Sequence, residues 1–173
     1  MGVVEQPHRP PDIDRLFVPE ATVVWASVGS EPLDITEHEV RVADDTAGAV
    51  VSFVGTVRNH DGGRLVSRLE YHAHPSAAEV LAQIAADVAR STSERCRLAV
   101  SHRVGQLEIG DVALACAVSA AHRGTAFAVC AELVEAVKMR LPIWKLQVFS
   151  DGAEEWVGSS DAPGSRAQVG GAR

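Results

Sequence analysis

Positive charge is what the sequence has least to spare: 16 Lys and Arg face 23 Asp and Glu, a formal net charge of −7 over 173 residues. Ten of the acids but only three of the bases fall in residues 1–47, so the acidity belongs to the N-terminal part. No basic stripe of the kind that neutralises a phosphate backbone is present, which argues against a nucleic-acid binder. Long apolar runs are missing as well. None reaches the roughly 18 residues of a membrane-spanning helix, and the N-terminus lacks the basic, apolar, small-residue order of a signal peptide. The chain is therefore expected in the cytoplasm, away from membranes. Cysteine is scarce: Cys96, Cys116 and Cys130 offer neither metal-ligand spacing nor an even count for a disulfide framework. Cys116 alternates in line with Val112, Leu114 and Val118, and Cys130 joins an apolar helical stripe. Both read as small core residues rather than nucleophiles.

What is there suffices for one core, with 46% of residues hydrophobic. Residues 1–20 hold four prolines and little periodicity and are expected to form a flexible arm; 159–173 read as a flexible tail. The domain between them, 21–158, mixes strand-like and helix-like patterns. "ATVVWASV", "GAVVSFVGTV", "SRLEYHA", "RLAVSHRV", "DVALACAVSA", "IWKLQVF" and "EEWVG" read as strands. A short polar helix is expected near 35–43. A second is expected over 76–94, where Leu81, Ile84, Ala85 and Val88 repeat at helical spacing, and a third over 124–140, stopped by Pro142. "GQLEIG" reads as a turning connection. Hairpin-like and crossover-like links together indicate an α+β (mixed α/β) fold, a mixed sheet covered by helices.

Within "EAVKMRLPIWKLQVF", Lys138 and Lys145 flank a proline among core-like residues. Taking Phe127, Cys130, Val134, Val137 and Leu141 as the buried stripe of the third helix, Lys138 projects about 60° from its centre. A lysine there can snorkel to water. After the proline turn, Lys145 can return towards the helix end, and two close amines lower one another's pKa, whereas the helix C-terminus and any bound anion oppose that. Chemistry and anion binding both remain open. "SAAHRGTAF" sets His122 and Arg123 at a helix start, where free amides favour phosphate or carboxylate; a surface arginine and a cap neighbour are the plainer alternative. "GTVRNHDGGR" sets Arg58 and His60 before a glycine-rich tip that can close on a ligand or be an ordinary charged hairpin.

In order and spacing, "GAVVSFVGTVRNHDGG", "LEYHAHPSAAE", "HRVGQLEIGD", "SAAHRGTAF" and "VKMRLPIWK" resemble the large, catalytic subunit of molybdopterin synthases over about residues 22–158. The resemblance implies an α/β hammerhead fold with a small additional β subdomain. It implies a homodimer within a heterotetramer, flanked by two copies of a small ubiquitin-like sulfur carrier. Sulfur would pass from the carrier's C-terminal thiocarboxylate to cyclic pyranopterin monophosphate, forming the dithiolene of molybdopterin, with no metal or cofactor needed. Carried over by position, Lys138 and Lys145 match the catalytic lysines, and Arg58, His122 and Arg123 match the anion-binding residues. Family members often follow the "PIWK" block with a basic and an acidic residue; Leu146 and Gln147 stand here instead. A non-catalytic adaptor for carrier tails and a phosphate-ligand sensor are the competing readings.

Overall fold

A computed structural model describes residues 21–158; the flexible arm and tail expected at 1–20 and 159–173 lie outside the described residues. The chain runs β1 (Thr22–Gly29), α1 (Ile35–Val42), β2 (Ala49–Thr56), β3 (His60–Asp61), β4 (Arg64–Ala73), α2 (Ala77–Ser91) and β5 (Cys96–Arg103). It continues through β6 (Gly105–Leu107), β7 (Val112–Ala120), α3 (Arg123–Arg140), β8 (Ile143–Phe149) and β9 (Glu154–Gly158). The α+β expectation holds, but the strands form two sheets. One is four-stranded, ordered β1-β5-β7-β2, with β1 and β5 parallel and the other pairs antiparallel. The other is ordered β3-β4-β8-β9, with β6 also pairing β4. "GQLEIG" is thus not only a turn. Gly105 and Gly110, at φ +90° and +93°, make the bends, and between them Leu107 is buried opposite Leu69.

Alternation along the first sheet decides what covers each face. Leu98 and Val100 on β5, with Leu114, Cys116, Val118 and Ala120 on β7, pack in one cluster with Leu81, Ile84 and Val88 of α2 and with Leu133, Val134 and Val137 of α3. The opposite face carries the small residues Ala99 and Ala117, which let Val42 of the short α1 lie close. Both faces of β7 are buried, so its sequence is almost uniformly apolar. The three cysteines are buried and free. Burial pushes the Cys96 thiol up to about 11 and raises Cys116 and Cys130 too, as expected of core residues rather than nucleophiles.

One expectation about α3 is corrected. Its buried positions are Ala126, Val129, Cys130, Leu133, Val134 and Val137, whereas Phe127 is 62% exposed. The stripe passes through the small Ala126, because the first turn of the helix approaches the sheet too closely for an aromatic ring.

A buried polar chain fastens α1 to the sheet. His38 Nδ1–H donates to the Asp34 carbonyl at 2.8 Å, so Nε2 accepts from Ser101 Oγ at 2.9 Å. Ser101 in turn accepts from Ser27 Oγ and from Trp25 Nε1, each at 2.8 Å. Ser101→Ala strips three groups of a partner at a site 1% exposed, and should destabilise the fold by about 1–3 kcal/mol in urea denaturation. A loss too small to resolve would mean that the network is replaceable by water.

Candidate active site

Pro142 has no amide hydrogen to continue α3, so the helix ends with Leu141 donating to Val137. The chain then reverses into β8, and the Pro142 carbonyl accepts from His74 at 3.0 Å. This reversal leaves the C-terminal turn of α3 over the seam between the two sheets. There a cavity of about 490 Å³ opens, lined by Phe53 and Gly55 of β2, Arg58 just beyond it, Tyr71, His102, Val137, Lys138, Ile143 and the end of β9.

Lys138 is exposed at the rim, its Nζ 5.8 Å from the centroid of the Phe53 ring, near the outer limit of cation–π attraction. No carboxylate pairs with it among the described residues. Lys145 stands on β8 directly opposite Tyr71 on β4 and Val157 on β9. Both neighbours line the cavity, so the lysine shares that face of the sheet. Its Nζ lies 3.3 Å from Asp61 Oδ2, and Arg58 Nη2 lies 3.4 Å from Asp61 Oδ1. Lys138 and Arg58 therefore line one opening, and Lys145 stands on the sheet face beside it.

His122 and Arg123 are not. They occupy the opposite end of α3, fifteen residues before Lys138, a rise of about 22 Å. There they border a separate shallow cavity of about 380 Å³ with Gly48, Ala121 and Gly124. Gly48 is required at that spot, since a Cβ would sit 2.5 Å from the Ala121 carbonyl oxygen. His122 is the helix N-cap yet makes no side-chain cap bond, and no acid stands in the first turn. The end of the helix is electropositive, and one carboxylate, that of Glu94, already accepts from Thr125 Oγ1 of the first turn at 2.6 Å. Within one chain, however, this end of the helix cannot join the lysines.

Sequence reasoning also passed over His102 and Tyr71. His102 follows Leu98 and Val100 on the same face of β5, a polar residue at the end of an apolar row, and that break in pattern was the available signal. It is 9% exposed and packs edge-on to Tyr71 with ring centroids 5.1 Å apart. Nδ1–H donates to the Arg103 carbonyl at 2.8 Å, which leaves Nε2 with the lone pair. Burial lowers the pKa of His102 against the opposing pull of that hydrogen bond, and burial also raises that of Tyr71.

The sign of the His102 effect on stability follows from linkage. Above about pH 6.5 the ring is neutral folded or unfolded; as pH falls below that, the unfolded chain takes up the proton first and stability drops until the folded pKa is passed. The unfolding free energy of His102→Gln should therefore decline less than that of the parent between pH 7.5 and pH 5. Parallel pH profiles in urea titrations would count against a neutral, buried His102.

A family model described as "MoaE protein" matches residues 28–140, well over half of the chain. The chain belongs to the MoaE family. It is 38% identical over 143 residues to "Molybdopterin synthase catalytic subunit 1" of Mycobacterium tuberculosis, covering 82% of this chain and 95% of that protein. It is 40% identical over 128 residues to the "Molybdopterin synthase catalytic subunit" of Bacillus subtilis, 73% and 80% of the two chains. Among solved structures, molybdopterin synthase from Staphylococcus aureus superposes with a TM-score of 0.71 at 32% identity, over 77% of this chain and 96% of that one. The matched MoaE segment contains Arg58, His122, Arg123 and Lys138, whereas Lys145 lies just past its end.

Proposed function

We propose that this chain is the catalytic subunit of a molybdopterin synthase, a sulfurtransferase of molybdenum cofactor assembly working in the cytoplasm. It takes sulfur from the C-terminal thiocarboxylate of a small ubiquitin-like carrier and gives it to cyclic pyranopterin monophosphate, and repeated transfer builds the dithiolene. The observation that carries this reading is the grouping of Lys138, Lys145 and Arg58 around one partly apolar cavity. Both reactants are anionic, and Lys138 and Arg58 in the cavity lining, with Lys145 beside it, offer them three cations, two of which contact the Asp61 carboxylate.

In the transfer, the thiocarboxylate sulfur bonds to a side-chain carbon of the cyclic precursor as a carbon–oxygen bond there breaks, its oxygen leaving as water or staying on the opened phosphate. The sulfur–acyl bond of the resulting thioester then breaks as the acyl group passes to water or to an amine. Among the described residues Lys138 has no competing carboxylate, so its amine is the group left to meet the carrier terminus. It either accepts the proton of the attacking water or takes the acyl group itself as an amide that water later cleaves. Lys145 and Arg58 stabilise the oxyanion that develops on the acyl carbon.

Two copies of the chain complete the site. His122 and Arg123 sit too far along α3 to reach their own lysines, so in a twofold dimer they serve the cavity of the other copy, where they hold the pterin phosphate. The exposed apolar side chains Val50, Val54 and Phe127 support a surface that is covered in the assembly. With two carriers, the dimer becomes a heterotetramer.

Purified protein mixed with thiocarboxylated carrier and the cyclic precursor should yield a pterin that has gained the dithiolene sulfurs, read by mass spectrometry. A carrier that binds but never loses sulfur would identify a non-catalytic adaptor instead.

A further inference from the structure

Asp61 lies between two of the cations assigned to the reaction, although nothing in its sequence context marks it. It is the second residue of the two-residue strand β3, followed by Gly62 and Gly63 at φ +54° and +80°, which turn the chain into β4. One carboxylate oxygen lies 3.4 Å from Arg58 Nη2 and the other 3.3 Å from Lys145 Nζ. A third contact comes from beneath. Gln147 is 2% exposed on β8, two residues beyond Lys145 and on the same face, and its side chain hydrogen-bonds to Asp61. That bond, followed by the neighbouring Lys145 and Arg58 charges, holds the Asp61 carboxyl below the usual carboxylate range.

Residue 147 carries an amide rather than an acid. A glutamate there would set a second carboxylate against Asp61, whereas the amide offers Asp61 a donor. The negative charge of this cluster is thus carried by Asp61 on the hairpin rather than by β8.

We propose that Asp61 is a positioning residue that occupies the anion site of the empty enzyme: it holds Arg58 and Lys145 together, with Gln147 anchoring it, and an incoming phosphate or carboxylate must compete with it for them. The assignment of those anions to pterin phosphate and carrier terminus rests on the proposed sulfur transfer; the competition itself does not.

Inorganic phosphate is the probe. Asp61→Asn removes the competing charge and should bind phosphate roughly five- to tenfold more tightly, a gain that shrinks as salt is raised. Because Lys145 loses its anchor, kcat for dithiolene formation should fall about tenfold at the same time. Tighter binding with slower turnover is a split that a purely structural loss does not produce. Gln147→Glu should weaken phosphate binding several-fold. The double variant Asp61→Asn/Gln147→Glu returns one carboxylate and one amide to the cluster in exchanged places, and should recover phosphate affinity to within about twofold of the parent. Unchanged phosphate affinity in a folded Asp61→Asn overturns the proposal whether or not the Gln147 variants fold. If the parent makes no dithiolene, the proposed function fails, while the phosphate titrations still decide the role of Asp61.

Discussion

Lys138→Ala is expected to lower single-turnover product formation by roughly 10²- to 10⁴-fold, the range for losing a positioned acid or base, while carrier binding and the melting temperature stay near those of the parent. Lys138 is exposed and pairs with no carboxylate among the described residues, so truncating it removes little that stabilises the fold. The core contacts of that helical turn come from Val137 and Leu141 instead, both in the main cluster. Arg58 and Lys145 remain to attract the anionic reactants, which keeps the loss in kcat rather than in binding. Lys138→Arg separates charge from chemistry. It restores the cation, but a guanidinium does not give up its proton near neutrality and is a poor nucleophile, so activity should stay low. Substantial rescue by arginine would show that Lys138 acts only through its charge. A Lys138→Ala enzyme turning over at the parental rate would remove this lysine from the mechanism altogether.

How much of this was legible in the sequence follows from what each signal depends on. Pro142 dictates a stop and a reversal, and the reversal alone brings β8 back under the end of α3, so the approach of Lys145 to the cavity of Lys138 could be read locally. Alternation in "DVALACAVSA" gave the buried strand and its cysteine. Phe127 misled because a single aromatic at helical spacing outweighed the small Ala126, and only the closeness of the helix to the sheet decides between them. The three residues of β6 are too few to show a period, so Leu107 could not announce its partner Leu69. Asp61 escaped because its meaning depends on Gln147, 86 positions later and on another strand. His122 and Arg123 stand at the helix start where the sequence put them. Their distance from the lysines was already implied by the length of α3, since any residues fifteen apart on an unbroken helix are separated by about 22 Å.

That separation yields the second large effect, a rescue rather than a loss. If each active site takes its lysines from one copy and His122 and Arg123 from the other, Lys138→Ala and Arg123→Ala homodimers should each be nearly inactive. Mixed, unfolded together and refolded, half of the dimers carry one variant of each kind. In those dimers both defects fall in the same site, and the second site is intact. The mixture should recover about a quarter of parental activity, set by counting sites alone and independent of how severe either variant is. A control with Lys138→Ala and Arg58→Ala distinguishes the geometry from simple subunit exchange. Those two residues line the same cavity of one chain, so each mixed dimer carries one defect in each site and no recovery is expected. Recovery in the control would mean that Lys138 and Arg58 reach one site from different chains, against their shared place in the cavity of one chain. Absence of recovery in both, with mixed dimers verified by mass, would place His122 and Arg123 with the lysines of their own chain, against the 18-residue span of α3. An Arg123→Ala homodimer of parental activity would instead leave Arg123 outside the reaction and confine the chemistry to the cavity at the seam of the two sheets.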